Sequence, residues 1–246
     1  MGRAFEFRKE RKMKRWSKMA KVFSRIGKDI VIAIKEGGPA PETNSKLRAV
    51  MQNAKAANVP KDLIERAIKK AKDKDTSDYK EVTFEGYAPH GIAIFVEAAT
   101  DNNQRTVANI RSYFNKCNGS MGTSGSVSYM FDHQCYFKIN KGDLDPEELE
   151  LELIDHGAEE VFVEEADAEE QDQETKIVIY GEFSSFGSLQ STIEGMGIAI
   201  VSSGFERIPN MTKTITGDAV AEVEKLLERI EEDDDVQNVF HTMVEG

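Results

Sequence analysis

The chain has 246 residues, with 32 Lys plus Arg against 44 Asp plus Glu for a formal charge of −12. A content of 39% hydrophobic and 31% charged residues predicts a globular protein of one to three domains with real cores. No apolar run approaches the roughly 18 residues of a membrane helix, and no apolar stretch follows the basic N-terminus as in a secretory signal. The two cysteines, Cys117 and Cys135, form no C-x-x-C pair, so the expected location is the reducing cytoplasm.

The first segment reads as helical. From Lys18 to Glu36, Met19, Val22, Phe23, Ile26, Ile30, Ala33 and Ile34 recur at three- and four-residue steps, one face of an amphipathic helix that Gly37-Gly38-Pro39 ends. Leu47, Val50, Met51 and Ala54 mark a second helix, with Thr43, Asn44 or Ser45 able to cap it. Pro60 suits the first turn of a third, whose buried stripe is Leu63, Ile64, Ala67, Ile68 and Ala71. Residues 72–78 are polar and aperiodic, and read as a linker.

Beyond the linker, residues 81–87 and 91–99 read as a hairpin turning at Ala88-Pro89-His90-Gly91. A helix follows at 104–116, then a loop from Gly119 to Ser126 and a strand at 127–131. Strands at 135–140, 159–164, 175–181 and 198–206 with helices at 146–156 and 185–195 give the order β-α-β-β-α-β, which is ferredoxin-like. The preceding β-β-α-β series lacks a helix and a strand, and the chain's end supplies them at 217–232 and 236–243. The expected fold is therefore α+β: an N-terminal three-helix domain followed by two ferredoxin-like α/β domains, one inserted in the other. The boundaries are 1–75 for a basic helical domain, 79–134 plus 209–246 for a discontinuous α/β domain, and 135–208 for an acidic inserted domain.

The net charge hides a split. Residues 1–75 hold 21 Lys plus Arg and 9 Asp plus Glu, a balance of +12; the rest hold 11 basic and 35 acidic residues, a balance of −24. A basic end on an acidic body is a directional electrostatic device. Its densest part is Arg8, Lys9, Arg11, Lys12, Lys14, Arg15, Lys18 and Lys21, with Glu10 the only acid between Arg8 and Lys21 and with Phe5, Phe7 and Trp16 nearby. Cations can hold phosphates while aromatics stack on bases, so this run predicts nucleic-acid contact against the plainer reading of a solvated tail. Lys61, Arg66, Lys69 and Lys70 extend it, with Arg66, Lys69 and Lys70 able to share an exposed side of the third helix. The alternative is an ordinary Lys-rich surface in which Asp62 and Glu65 supply helix pairs.

Gly122-Thr123-Ser124-Gly125-Ser126 is neither a Walker loop nor a G-x-S-x-G elbow. Its backbone N–H groups could face a phosphate, though a tight connection explains the glycines equally well. The four histidines are scattered without metal-ligand spacing, and Glu231 to Asp235 reads as a solvated helix end. No residue set makes a case for catalysis, a cofactor, a metal or a small-molecule substrate.

Four segments resemble the YebC/PmpR family: Lys55 to Lys70 (KAANVPKDLIERAIKK), Phe84-Glu85-Gly86-Tyr87, Thr100 to Val107 (TDNNQRTV) and Gly122 to Val127 (GTSGSV). The resemblance covers nearly the whole chain. It implies a cytoplasmic three-domain protein without enzyme activity. Family members are described as DNA-binding transcriptional regulators, while relatives, including a mitochondrial translational activator, act at the ribosome. Some are linked to relief of stalling at proline-rich sequences. The family's basic Lys-x-Arg-Lys falls on Lys9, Arg11 and Lys12, with Glu10 in place of the usual His. Arg3, Ala4 and Phe5 replace its opening His-Ser-Lys-Trp, and His90 stands where glycine is common. Arg105 and the 122–126 loop match, which implies RNA or partner contact there.

The expected function is a DNA-binding transcriptional regulatory protein; the alternative is a ribosome-associated translation factor binding RNA. The insertion carries its own test. Limited proteolysis near Met211 should not release the 217–243 pair from a remainder that stays folded.

Overall fold

The computed structural model describes residues 3–73, 79–165 and 174–246, with side chains of the first helix from Met19 onward. Within the linker, residues 74–78 lie outside the described residues, as do 166–173 of the expected acidic inserted domain. The chain divides into two compact units, Met1–Tyr79 and Lys80–Gly246.

The first unit is three helices: α1 (Arg3–Gly37), α2 (Ser45–Ala56) and α3 (Lys61–Lys72). Helix α1 begins well before the apolar stripe, in a segment rich in the good helix formers Lys, Arg, Met and Glu. At 1.5 Å per residue it is about 50 Å long. Ile26, Ile30, Val31, Ala33 and Ile34 pack with Leu47, Val50 and Ala54 of α2 and Ala67 of α3. Of the three sequence candidates for the cap of α2, the structure uses Asn44. Its Oδ1 accepts from the Leu47 N–H at 2.9 Å, while Nδ2 donates to the carbonyls of Ala33 at 2.7 Å and Gly38 at 2.9 Å. One buried amide thus caps α2 and satisfies carbonyls at the end of α1.

The second unit contains two four-stranded sheets. The first comprises β1 (Lys80–Tyr87), β2 (Ala93–Thr100), β3 (Ser120–Met121) and β9 (Val236–His241), in the order β3-β1-β2-β9 with every pair antiparallel. Helix α4 (Asn103–Lys116) links β2 to β3 across β1, and α7 (Asp218–Glu231) leads into β9. The core joins Ile94 and Val96 of β2, Ile110 and Phe114 of α4, and Val223, Leu226 and Ile230 of α7.

The second sheet comprises β4 (Phe131–Asn140), β5 (Ala158–Glu164), β6 (Lys176–Glu182) and β7 (Ile200–Pro209), in the order β5-β6-β4-β7. With α5 (Pro146–Leu153) and α6 (Phe186–Gly195) it has the ferredoxin-like order and antiparallel pairing throughout. Two short strands that periodicity missed, β8 (Lys213–Ile215) and β10 (Met243–Glu245), pair in parallel.

One expected element is absent. The strand at 127–131 is instead a 3₁₀ turn at Ser128–Met130, and the strand that completes the first sheet is Ser120–Met121. Val127 is apolar because it is buried against Phe95, not because it pairs, and Phe131, buried in the same cluster, opens β4 instead. Gly86 makes β3 possible: a Cβ there would lie 2.6 Å from the Ser120 carbonyl oxygen and 2.8 Å from the Phe114 ring.

Asn44→Ala should destabilise the protein by roughly 1–3 kcal/mol, since it removes a cap and leaves buried groups unpaired. Thr43→Ala, at an exposed site, should cost well under ~1 kcal/mol. Denaturant unfolding of both variants checks this.

Candidate nucleic-acid interface

Arg8, Lys9, Arg11, Lys12, Lys14, Arg15, Lys18 and Lys21 all fall on α1. The side chains of the first seven lie outside the described residues; Lys21 is half-buried. Positions 11, 14, 15, 18 and 21 follow three- and four-residue steps, so the helix places them along one side.

On α3, Lys61, Arg66 and Lys69 are exposed. Arg66 is already engaged: its guanidinium pairs with the Asp62 carboxylate and Nε donates to the Asp62 carbonyl at 3.1 Å. Lys70 does not share the solvent side with them. It is half-buried, its Nζ donating to the Tyr79 hydroxyl at 2.6 Å and lying 4.5 Å from the ring centroid. The buried Lys28 lies over the same ring at 5.3 Å, so Tyr79 draws two cations inward by cation–π attraction. Of the sequence candidates on α3, Lys61, Arg66 and Lys69 are exposed, and Arg66 among them carries an ion pair.

The 122–126 loop is organised by Glu85 of the Phe84-Glu85-Gly86-Tyr87 segment, a role that the spacing of the segment does not signal. Glu85 is 4% exposed, and its carboxylate accepts from the N–H groups of Gly125 at 2.7 Å, Val127 at 2.7 Å and Ser128 at 2.8 Å. Its own carbonyl accepts from the Gly122 N–H at 2.8 Å. Within the loop the Gly125 N–H is therefore committed to an internal carboxylate, the Gly122 N–H to the Glu85 carbonyl and the Ser126 N–H to the Thr123 carbonyl, rather than to a phosphate. The carboxylate's bonds to Val127 and Ser128 keep 127–128 out of a strand ladder. Gly125 adopts φ +88°, the left-handed backbone that glycine tolerates without strain. The loop tip still presents Thr123 and Ser124 to solvent, and Tyr129 beside it is 68% exposed.

Arg105 belongs to a different constellation. Asn102 caps α4 by accepting from the Arg105 N–H at 3.1 Å. The Arg105 guanidinium donates to Asp101 at 3.0 Å and to Asp235 at 2.7 Å, and the Asp235 contact above all holds the guanidinium in its charged form. Asp235, with its side chain 8% exposed, also accepts from Thr106 at 2.9 Å and Thr100 at 3.2 Å. Asp233 accepts from Asn109 at 3.1 Å and from the Tyr113 hydroxyl at 2.9 Å; burial, then this carboxylate, pushes the phenol up to about 12. The acidic run at 231–235 is thus not simply a solvated helix end: two of its carboxylates tie α4 to the start of β9. Sequence gave no sign of this, because the partners lie about 130 residues apart.

Among the described residues, no cluster of three or more His, Cys, Asp or Glu could hold a metal, and no helix is long and apolar enough to cross a membrane.

The chain matches known proteins over both units. A family model described as "TACO1/YebC protein N-terminal domain" matches residues 3–74, and one described as "TACO1/YebC second and third domain" matches residues 79–243. A protein of Flavobacterium johnsoniae named "probable transcriptional regulatory protein" is 68% identical over 245 residues, covering 100% of both chains. A Porphyromonas gingivalis protein with the same name is 57% identical over 246 residues, covering 100% of this chain and 98% of its own. The crystal structure of a conserved hypothetical protein from Aquifex aeolicus superposes with a TM-score of 0.75 at 35% identity, covering 92% of this chain and 90% of that one.

Glu85→Ala should destabilise the second unit by about 3 kcal/mol, because three N–H groups lose a charged acceptor in a buried site. It should also speed amide exchange at Gly125, Val127 and Ser128. Denaturant unfolding and hydrogen exchange measure both effects.

Proposed function

The chain belongs to the TACO1/YebC family, and we propose that it is a nucleic-acid-binding regulator of gene expression, acting on DNA as a transcriptional regulatory protein without catalytic chemistry. The observation that carries this reading is the placement of +12 of charge on residues 1–75, with its densest part along one helix, against −24 on the remainder. The names of the relatives from Flavobacterium johnsoniae and Porphyromonas gingivalis agree with it.

In this mechanism the basic side of α1, with Lys61 and Lys69 of α3, docks on the phosphate backbone. The acidic sheets are repelled by the polyanion, which orients the molecule on it. Thr123 and Ser124 at the loop tip contact RNA or a partner through their hydroxyls. Arg105 acts as a positioning residue, fixing α4 to Asp235. We also propose that residues 79–134 plus 209–246 and residues 135–208 are separate domains, the second inserted in the first.

A second reading, a ribosome-associated translation factor, draws on one feature. Lys and Arg directed at phosphates position a protein on either polymer without specifying sequence. Crosslinking in cells, followed by sequencing of bound DNA and bound RNA, separates the two. Enrichment at promoters supports the first reading, and enrichment on ribosomal RNA supports the second.

With about five phosphates contacted, log affinity should fall with log salt with a slope of order −4. Reversing Lys9, Arg11, Lys12 and Lys14 to Glu should bring that slope near zero. A slope already flat in the unaltered protein would overturn nucleic-acid docking by this helix. For the transcription reading, an operator duplex should bind at least about a thousandfold tighter than other duplexes at physiological salt.

A further inference from the structure

The second sheet has one face toward its helices and another that the function proposed above leaves unused. Phe137 of β4 stacks on Phe186 of α6 with centroids 5.0 Å apart, and a Cβ on Gly181 of β6 would lie 2.6 Å from Leu189. Side chains alternate along a strand, so Tyr136 and Tyr180 point to the opposite face. There they are register partners with ring centroids 6.3 Å apart. Phe162 of β5 stacks on Tyr180 at 6.0 Å with planes inclined by 15°. Tyr136 in turn lies over Gly204 of β7, where a Cβ would sit 3.0 Å from the ring. A row of three rings therefore crosses the sheet. It ends in Phe162, which is 38% exposed on the edge strand.

Carboxylates border this row. Glu206 accepts from the Tyr180 hydroxyl at 2.6 Å. Exposed Glu160 is in register with Tyr180 and stands two residues from Phe162 on the same face. Glu164 neutralises Lys138 at 2.7 Å, so that cation is not available to attract phosphate.

Aromatic rows on four-stranded sheets of this topology commonly stack bases. Here the bordering carboxylates would repel the phosphates that accompany bases. Ring faces beside carboxylates instead match arginine, whose planar guanidinium stacks on aromatics and takes carboxylate oxygens in a fork geometry. We propose that this face is a docking surface for an arginine-bearing basic polypeptide segment. Phe162 offers the accessible ring and Glu160 the counter-charge. The surface is independent of α1, so this proposal stands or falls separately from nucleic-acid docking.

The test is fluorescence polarisation with the full chain and a labelled peptide of alternating Arg and Gly. A Lys-for-Arg peptide and a single-stranded oligouridylate serve as the other probes. Phe162→Ala and Glu160→Gln, both at exposed positions, should each weaken Arg-peptide binding at least fivefold with unchanged thermal melting. Glu148→Gln, exposed on α5, should leave it unchanged, and the Lys peptide should bind more weakly than the Arg peptide. The proposal is overturned if neither Phe162→Ala nor Glu160→Gln affects the Arg peptide. It is equally overturned if Glu148→Gln weakens binding as much as they do, which would mean diffuse charge attraction. Oligouridylate binding that is lost in Phe162→Ala while peptide binding persists would make the face an RNA platform instead.

Discussion

Strand β2 needs cover on both faces and a partner on both edges, and the chain meets that need only by returning after residue 235. One edge pairs with β1, the adjacent hairpin strand, and the other with β9, where Ile94 faces His241. On one face Ile94 and Val96 meet α4 and α7; on the other Ala93 and Phe95 meet Val127, Phe131 and Phe240. Arg207 of β7 lies 4.2 Å over the Phe95 ring and donates to Glu97 at 3.0 Å, so the second sheet also leans on this strand. Closing so long a loop costs entropy that burial of a central strand can offset. Asp235 secures the return, because its carbonyl accepts from the Ala99 N–H at 2.8 Å while its carboxylate gathers Thr100, Arg105 and Thr106.

Two carboxylates buried in this unit, those of Glu85 and Asp235, work alike. Each is removed from water and compensated by several donors, backbone N–H groups for Glu85 and side chains for Asp235, so each organises the fold rather than offering charge to a ligand. That accounting reassigns the segments a motif search would single out. The glycine-rich loop becomes a shaped connection around Glu85, and Arg105 becomes half of a structural ion pair. The charges outside these knots include the exposed Lys61 and Lys69 of α3 and exposed acids of the second unit such as Glu148 and Glu160. Their segregation along the chain makes the electrostatics directional.

Much of this architecture was legible from periodicity. The three helices, the ferredoxin-like order of residues 135–206 and the helix at the chain's end follow from apolar spacing, although Met19 and Val22 of the first stripe are exposed and only Ala67 of the third is fully buried. The strand expected at 127–131 failed because apolar residues signal burial and not pairing: Val127 is buried while its N–H belongs to Glu85. Strand β3, two residues long, has no period to detect. Its place was decided by Gly86 and Phe114, which let one edge approach closely.

For the site, sequence alone determined which residue types were dense where: the cations of residues 8–21, the acids of the body and the polar loop at 122–126. Composition and spacing are local quantities, and the electrostatic character of a segment follows from them directly. Tertiary structure alone decided which of those groups remain free. Lys70 turns to Tyr79 and Arg105 to Asp235, while the Gly125 N–H turns to Glu85, through contacts between residues 9, 130 and about 40 positions apart. A hydrogen bond is won by whichever partner the fold brings within about 3 Å, and chain order carries no record of that distance.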